Sequence, residues 1–212
     1  MLGAKQQMSL TNQSIKSRLD NLDLETINQI LNGVDPSLSI VWAAEAFRDG
    51  LVAMTNFDRQ SAVILHLVTQ ISPHLPIIWI DTGYLPEATY YFARELTQKL
   101  RLNLKVYQPK MNLQEIEAKY GAPLGQHDVE SKELYDHLLR VEPLERALTE
   151  LRATGCISGL RHQQIEHPEL QQQLSTVNKQ GDRFNILPIL NWTSHNANSY
   201  LQTHNLPQHP IF

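Results

Sequence analysis

The clearest pattern of apolar and polar positions along the chain lies in residues 50–81. An apolar run at residues 51–54 is followed by a polar loop, and after Gln60 apolar positions recur with helical spacing. Those positions are Ala62, Val63, Leu65, Leu67 and Val68. A second apolar run occupies residues 77–80. This order predicts strand, loop, helix and strand, the parallel βαβ unit of a doubly wound sheet.

The remaining segments extend the α/β pattern. We predict further helices at residues 24–32, 36–48, 86–101, 111–120, 131–140, 142–153 and 193–204. Further strands are predicted at residues 104–107, 155–159 and 184–189. Two helix starts are well defined, because Asp35 precedes Pro36 at one of them and Thr193 caps the other. The chain therefore predicts a doubly wound, mostly parallel five-stranded sheet with helices on both faces.

Two segments do not fit this alternation. Residues 1–20 are expected to be flexible, and residues 162–182 are rich in glutamine without periodicity, which is typical of a mobile arm. No linker, repeat or charge block divides the chain. We therefore expect a single domain over residues 1–212.

Composition narrows the possible functions. A net charge of −4 argues against a nucleic-acid binder that works through bulk charge. A single cysteine excludes a disulfide framework and a cysteine-ligated iron–sulfur cluster, and the nine histidines form no metal-binding pattern. No run of about 18 apolar residues and no signal peptide is present, so a cytoplasmic protein without a membrane span is expected.

The loop after the first strand is the place to look for a ligand. In α/β sheets ligands bind at the carboxyl ends of the strands, and the unpaired amides at a helix start favour an anion such as phosphate. The loop reads Thr55-Asn-Phe-Asp-Arg-Gln-Ser61.

Several segments together resemble the 3′-phosphoadenylyl sulfate (PAPS) reductases of assimilatory sulfate reduction. They are residues 80–90, which include Asp81-Thr82-Gly83, and residues 102–107, 141–148, 159–164, 187–192 and 200–210. The resemblance covers residues 40–210. It implies the adenine nucleotide α-hydrolase-like fold and, as ligands, PAPS or its product adenosine 3′,5′-bisphosphate.

The resemblance also implies which residues bind the substrate. The loop residues Thr55, Asn56, Gln60 and Ser61 are expected to hold phosphate or sulfate groups, although the family has serines at the first two positions. Asp58 stands where the family has glycine. Its carboxylate either repels an anion and changes the ligand preference, or simply caps the helix that follows.

Two further segments complete the expected site. The turn Asp81-Thr82-Gly83 matches the turn that helps to hold the adenosine, and the alternative is an ordinary strand-to-helix turn. Arg161 and Gln164 follow the fourth predicted strand, where a guanidinium binds phosphate or sulfonate oxygens in bidentate fashion. The basic residues that the family often has after Arg161 are absent from residues 162–170. We expect adenosine 3′,5′-bisphosphate to bind only in the high-micromolar range.

No catalytic residue is identified within the sequence. Family members carry their nucleophilic cysteine in a C-terminal Glu-Cys-Gly-Leu-His tail, which the 212 residues do not contain. Cys156 lies within a predicted strand and is interpreted as a core residue, because a reactive thiolate needs exposure and a cationic neighbour.

Three hypotheses follow. The chain is a thioredoxin-dependent PAPS reductase, without an iron–sulfur cluster, whose tail must be supplied. Alternatively, it is an inactive relative that still binds an adenine nucleotide. A nucleotide α-hydrolase ranks last, because the loop lacks the Ser-Gly-Gly-x-Asp-Ser pattern of that group. A homodimer is possible in each case.

Overall fold

The computed structural model describes residues 24–121, 129–165, 172–176 and 183–211. The expectation that residues 1–20 are flexible lies outside these ranges. Much of the predicted mobile arm at residues 162–182 also lies outside them.

Within these ranges, helices and strands alternate along the chain. The α-helices are α1 (Leu24–Leu31), α2 (Pro36–Phe47), α3 (Ser61–Ile71), α4 (Glu87–Leu100), α5 (Leu113–Tyr120), α6 (Val129–Asp136), α7 (Glu142–Glu150) and α8 (Ser194–Thr203). The strands are β1 (Leu51–Met54), β2 (Pro76–Ile80), β3 (Asn103–Tyr107), β4 (Gly155–Ile157), β5 (Leu174–Thr176) and β6 (Phe184–Ile186). Short 3₁₀ turns occupy Arg48–Gly50 and His162–Gln164, and a π-helical segment occupies His137–Val141.

The strands form one six-stranded sheet in the order β3-β2-β1-β4-β6-β5. All neighbours are parallel except β5 and β6. The mostly parallel sheet that the sequence predicts is confirmed. β1 sits between β2 and β4, so the chain leaves β1 in one direction and later returns on its other side. This is the switch point at which a doubly wound sheet opens a cleft.

The prediction of five strands was wrong by one. The sixth strand, β5, lies in the segment that was interpreted as a mobile arm. It has only three residues and pairs antiparallel with β6, with Ser175 opposite Asn185. On its outer edge the Asn28 side chain of α1 accepts from the Leu174 N–H at 2.9 Å and donates to the Leu174 carbonyl at 2.8 Å. This strand therefore depends on contacts with residues that are distant in the sequence. Three residues are too few to show a pattern of apolar and polar positions, so the sequence did not predict it.

One predicted helix also differs from the structure. The predicted helix at residues 131–140 is divided into α6 and the π-helical segment that precedes α7. Pro143 lies in the first turn of α7, where it has no N–H and its ring crowds the carbonyl four residues earlier. The wider π turn accommodates this crowding.

The two faces of the sheet are covered unequally. On one face Leu51 and Ala53 of β1 join the large core that α2, α3, α4 and α8 complete. On the other face Val52 and Cys156 join a smaller core built with α7. Because α7 packs against β2 and β3, a cavity remains beside it above β4 and β6.

Candidate functional site

The loop between β1 and α3 is built on a short hydrogen-bonded turn. Thr55 is buried, and its N–H donates to the Ile78 carbonyl of β2 at 3.0 Å. Its hydroxyl oxygen accepts from the Phe57 N–H at 3.1 Å. Thr55 therefore holds the beginning of the loop against the sheet instead of presenting its hydroxyl to solvent.

Phe57 holds the middle of the loop, although it was not among the predicted binding residues. Its side chain is fully buried and meets the Trp79 ring edge-on, with 5.0 Å between ring centroids. Its φ of 49° lies in the left-handed region that non-glycine residues rarely adopt. The buried ring fixes this backbone reversal, which directs the residues on either side of Phe57 toward the edge of the sheet.

Asp58 uses one carboxylate oxygen to order the start of α3. Its Oδ1 accepts from the Gln60 N–H at 3.2 Å and from the Ser61 hydroxyl at 2.8 Å. These bonds order the turn that leads into α3, but they are not the helix cap that the sequence left as one of two alternatives, because Gln60 is the N-cap of α3 and no side-chain hydrogen bond caps the helix. Asp58 does not have a positive φ, so the backbone at this position does not require glycine. The carboxylate is exposed and lines both cavities described below.

The first cavity has a volume of about 200 Å³ and lies above β4 and β6, beside α7. Apolar side chains form most of its wall. They include Leu144, Leu148, Cys156 and Phe184. At the carboxyl edge of the sheet the wall becomes polar, with Thr55, Asn56, Asp58, Ser61 and Ser158. A flat apolar group fits the inner part, and a polar group fits the edge.

The second cavity, of about 360 Å³, lies on the other side of Asp58. It is lined by Asp58, Arg59, Gln60, Arg161, Gln164, Ser194 and Asn198. The structure thus brings Arg161 and Gln164 to the loop after β1, as the sequence predicted. Ser194 and Asn198 of α8 were not predicted, and only the position of α8 beside α3 brings them here.

Arg161 is the buried positive charge of the second cavity, which the exposed Arg59 also lines. Arg161 is only 7 % exposed, and its Nη1 donates to the Ser194 hydroxyl oxygen at 3.2 Å. No ion pair among the described residues includes Arg161. Burial lowers the pKa of the guanidinium, and the nearby charge of Asp58 partly opposes this shift. A buried guanidinium without a carboxylate at ion-pair distance is a favourable site for an anion.

Two amide side chains hold the walls of the second cavity together. The Gln60 Nε2 donates to the Asn198 Oδ1 at 2.9 Å, which links the start of α3 to α8. The Gln164 Oε1 accepts from the Arg161 N–H at 3.2 Å, which holds the turn after β4. Both predicted residues therefore position neighbouring parts of the site.

The turn Asp81-Thr82-Gly83 lies at the end of β2 and lines neither cavity. Asp81 is buried, and its oxygens accept from the Gly83 N–H at 3.0 Å, the Tyr90 hydroxyl at 2.7 Å and the Gln108 Nε2 at 2.9 Å. Burial and this bond to Asp81 raise the pKa of Tyr90 to about 12. The site residues predicted from the sequence therefore lie around two cavities that meet at Asp58, and the turn at residues 81–83 lies outside both.

Cys156 is a core residue, as predicted. Its side chain is buried in β4, and burial raises the pKa of the thiol to about 12. It reaches the wall of the first cavity, but it is protonated at neutral pH and is therefore a poor nucleophile.

The described residues contain no cluster of three or more histidine, cysteine or acidic side chains that could hold a metal ion. In the same part of the chain, no helix combines the length and the apolar character that a membrane crossing requires.

Comparison with known proteins agrees with this fold. Residues 50–212 match the phosphoadenosine phosphosulfate reductase domain. The chain is 48% identical over 194 residues to the phosphoadenosine 5′-phosphosulfate reductase of Synechocystis sp., covering 92% of this chain and 77% of the relative. The crystal structure of phosphoadenylyl-sulfate reductase from Candida auris, a phosphate complex, superposes with a TM-score of 0.74 at 25% identity, covering 88% of each chain. The NH3-dependent NAD synthetase of Campylobacter jejuni shares the fold, with a TM-score of 0.55 at 16% identity over 87% of this chain and 75% of that one.

The fold and the site define an α/β protein of the adenine nucleotide α-hydrolase-like type, with a buried guanidinium beside the loop at the switch point of its sheet. Within that class, the chain belongs to the phosphoadenosine phosphosulfate reductase family.

Proposed function

We propose that this chain binds PAPS and provides the nucleotide site for its reduction to sulfite and adenosine 3′,5′-bisphosphate. The observation that carries the proposal is Arg161, a buried guanidinium that faces the β1–α3 loop without a carboxylate ion pair in the described structure. Membership of the family supports the choice of PAPS over other anionic nucleotides.

The two cavities divide the proposed ligand between them. The adenosine occupies the first cavity, whose inner wall is apolar. The phosphosulfate group lies at the loop, where Ser61 and Asn56 lie on one side and Arg161 on the other. Arg161 uses guanidinium N–H groups that Ser194 leaves available, because the side-chain hydrogen bond between Arg161 and Ser194 involves only Nη1.

The reduction itself requires a thiolate. In the proposed reaction the thiolate sulfur attacks the sulfur of the sulfate group, and the S–O bond to the phosphate breaks. Adenosine 3′,5′-bisphosphate leaves with the bonding electrons, and an S-sulfocysteine remains. A thioredoxin dithiol then releases sulfite and becomes oxidised. Cys156 does not fit the nucleophile because it is buried and protonated, so the step needs a different thiol.

Titration calorimetry with adenosine 3′,5′-bisphosphate tests the binding proposal. Arg161→Gln should weaken binding at least tenfold, because a charge-assisted hydrogen bond to the anion is lost. Arg140→Gln removes the same charge from a side chain that is 74% exposed and lines neither cavity, and it should change little. Equal affinities of the wild-type protein and Arg161→Gln would contradict the proposal.

A sulfite assay tests the role of Cys156. With PAPS and reduced thioredoxin, the 212-residue chain should release no sulfite, because its one cysteine is buried and protonated. Cys156→Ala should leave both the sulfite result and the nucleotide affinity unchanged. Sulfite release that disappears in Cys156→Ala would show that the buried thiol is the nucleophile after all.

A further inference from the structure

The loop at which we expect an anion to bind already contains a negatively charged side chain. Asp58 stands in the β1–α3 loop, and its Oδ1 accepts from the Gln60 N–H and the Ser61 hydroxyl. Its backbone carbonyl accepts from the Ser61 N–H at 3.2 Å. Three donors at the start of α3, which would otherwise be available to a ligand, are therefore directed toward Asp58.

The charge of Asp58 also reaches the rest of the site. It lines the apolar cavity and the Arg161 cavity, and so stands where the two meet. Its field favours the protonated forms of both Arg161 and His209, which opposes the effect of their burial. A negative group that enters beside Arg161 is thus attracted by the guanidinium and repelled by the carboxylate.

We infer that Asp58 is a specificity residue that selects a terminal group with one negative charge over a terminal group with two. This inference rests on the proposed function, which places a phosphosulfate group at this loop. A terminal sulfate and a terminal phosphate are both tetrahedral and nearly equal in size. The sulfate carries one charge, whereas a terminal phosphate approaches two charges at pH 7 because its second pKa is about 6.

Shape alone discriminates poorly between the two groups, but the extra charge interacts with Asp58. One additional charge about 4 Å from a carboxylate at the water-exposed edge of the site weakens binding about fivefold. In this chain Asp58 therefore favours PAPS over the corresponding diphosphate.

The test is a ratio of two affinities. PAPS and adenosine 3′-phosphate 5′-diphosphate, which differ only in the terminal group, are titrated by calorimetry without reductant into the wild-type protein and Asp58→Asn. The asparagine oxygen can still accept from Gln60 and Ser61, so the loop is preserved while the charge is removed. The preference for PAPS should fall about fivefold in Asp58→Asn, and less at high salt.

Asp35→Asn is the matched control. The Asp35 side chain accepts from the N–H of Ser37, two residues later, at 2.8 Å, and Asp58 accepts in the same way from the Gln60 N–H, but Asp35 lines neither cavity. Its replacement removes the same charge and should leave the preference unchanged. A preference that stays the same in Asp58→Asn, or that falls equally in Asp35→Asn, would overturn the inference.

A second measurement compares the same two proteins at two pH values. Between pH 7.5 and pH 5.5 the terminal phosphate takes up a proton while the terminal sulfate does not, so the difference in preference between the wild-type protein and Asp58→Asn should become smaller; a constant difference would overturn the inference. Arg161→Gln separates this inference from the proposed function. If that variant binds both nucleotides as tightly as the wild-type protein, the proposed function fails. If it weakens both while Asp58→Asn changes nothing, only the inference about Asp58 fails.

Discussion

Phe57 combines an unfavourable backbone conformation with complete burial. A non-glycine residue in the left-handed region is strained by about 1 kcal/mol or more. The ring contact with Trp79 and the exclusion of the side chain from water offset that strain. The conformation of the candidate anion loop thus depends on the packing of one aromatic side chain beneath it.

Replacing Phe57 should separate the packing from the strain. Phe57→Ala should lower the free energy of unfolding by about 3–5 kcal/mol, because it leaves a cavity and keeps the strained backbone. Phe57→Gly removes the same ring but adopts a φ of 49° without strain, so it should be about 1 kcal/mol more stable than Phe57→Ala. Urea unfolding measures both differences. If the glycine variant is the less stable of the two, the strain at this position is negligible.

Among the elements, β5 is held from both sides by long-range contacts. It pairs with β6 on its inner edge, and the Asn28 side chain of α1 takes the place of a further strand on its outer edge. Edge strands expose unpaired backbone groups, and a side-chain amide can satisfy one donor and one acceptor at once. Asn28 therefore joins α1 to β5, the edge strand of the sheet.

Asn28→Ala should remove the hydrogen bonds that hold the outer edge of β5. The loss of two hydrogen bonds to Leu174 should lower the free energy of unfolding by about 1–3 kcal/mol. Amide hydrogen exchange at Leu174 should become faster, while exchange in β1 should change less. Gln29→Ala on the exposed side of α1 is the control and should have little effect on either measurement. Unchanged protection at Leu174 would show that pairing with β6 alone holds the strand.

The contact between α3 and α8 contains a cluster of titratable rings. The His66 Nδ1 lies 2.9 Å from the Tyr200 hydroxyl, and the His66 and His204 ring centroids are 4.9 Å apart. Burial lowers the pKa of His66, and the charges of His204 and Lys99 lower it further. Burial also lowers the pKa of His209, which is hydrogen bonded to Thr89. Protonation of either ring is therefore less favourable in the folded protein than in the unfolded chain.

Stability should accordingly decrease in mild acid. Because the folded-state pKa of His66 lies below its unfolded value of 6.5, the unfolded chain binds more protons as the pH falls through and below 6.5. The urea midpoint should be lower at pH 5.5 than at pH 7.5. His66→Gln should reduce this pH dependence, whereas His74→Gln should preserve it. An identical pH dependence in the wild-type protein and His66→Gln would exclude His66 as a cause.

At the scale of the whole molecule, the site is assembled from distant parts of the chain. The β1–α3 loop, the turn after β4 and the start of α8 converge on the second cavity, and β6 and α7 close the first. A ligand that spans both cavities links these elements only in the folded state. Ligand binding should therefore stabilise the molecule as a unit.

The expected stabilisation follows from mass action. Adenosine 3′,5′-bisphosphate at ten times its Kd should raise the free energy of unfolding by about 1.4 kcal/mol. The same concentration should stabilise Arg161→Gln much less, and adenosine should not reproduce the difference between the two proteins. Urea unfolding with and without ligand measures the effect. Equal stabilisation of both proteins would place the ligand away from Arg161.

Much of the fold was determined by local sequence. The apolar runs that became β1 and β2 consist mostly of buried residues and could be recognised in isolation, and the helices that follow them show their apolar faces. Asp35 with Pro36 and Thr193 define helix starts through hydrogen bonds within four residues, so their roles were visible without tertiary contacts. The position of Cys156 within a strand likewise identified it as a core residue.

The tertiary structure alone decided how these parts meet. β5 exists because β6 and Asn28 pair with it, and Ser194 and Asn198 reach Arg161 because α8 packs beside α3. The sequence placed Asp58 in an anion loop but left its role open, because the direction of a side chain in a loop depends on the groups around it. In the folded protein that carboxylate accepts from Gln60 and Ser61 in the turn before α3, and it lies between the two cavities. Local patterns determine elements because their hydrogen bonds and apolar faces are local, whereas a binding site combines residues that only long-range packing brings together.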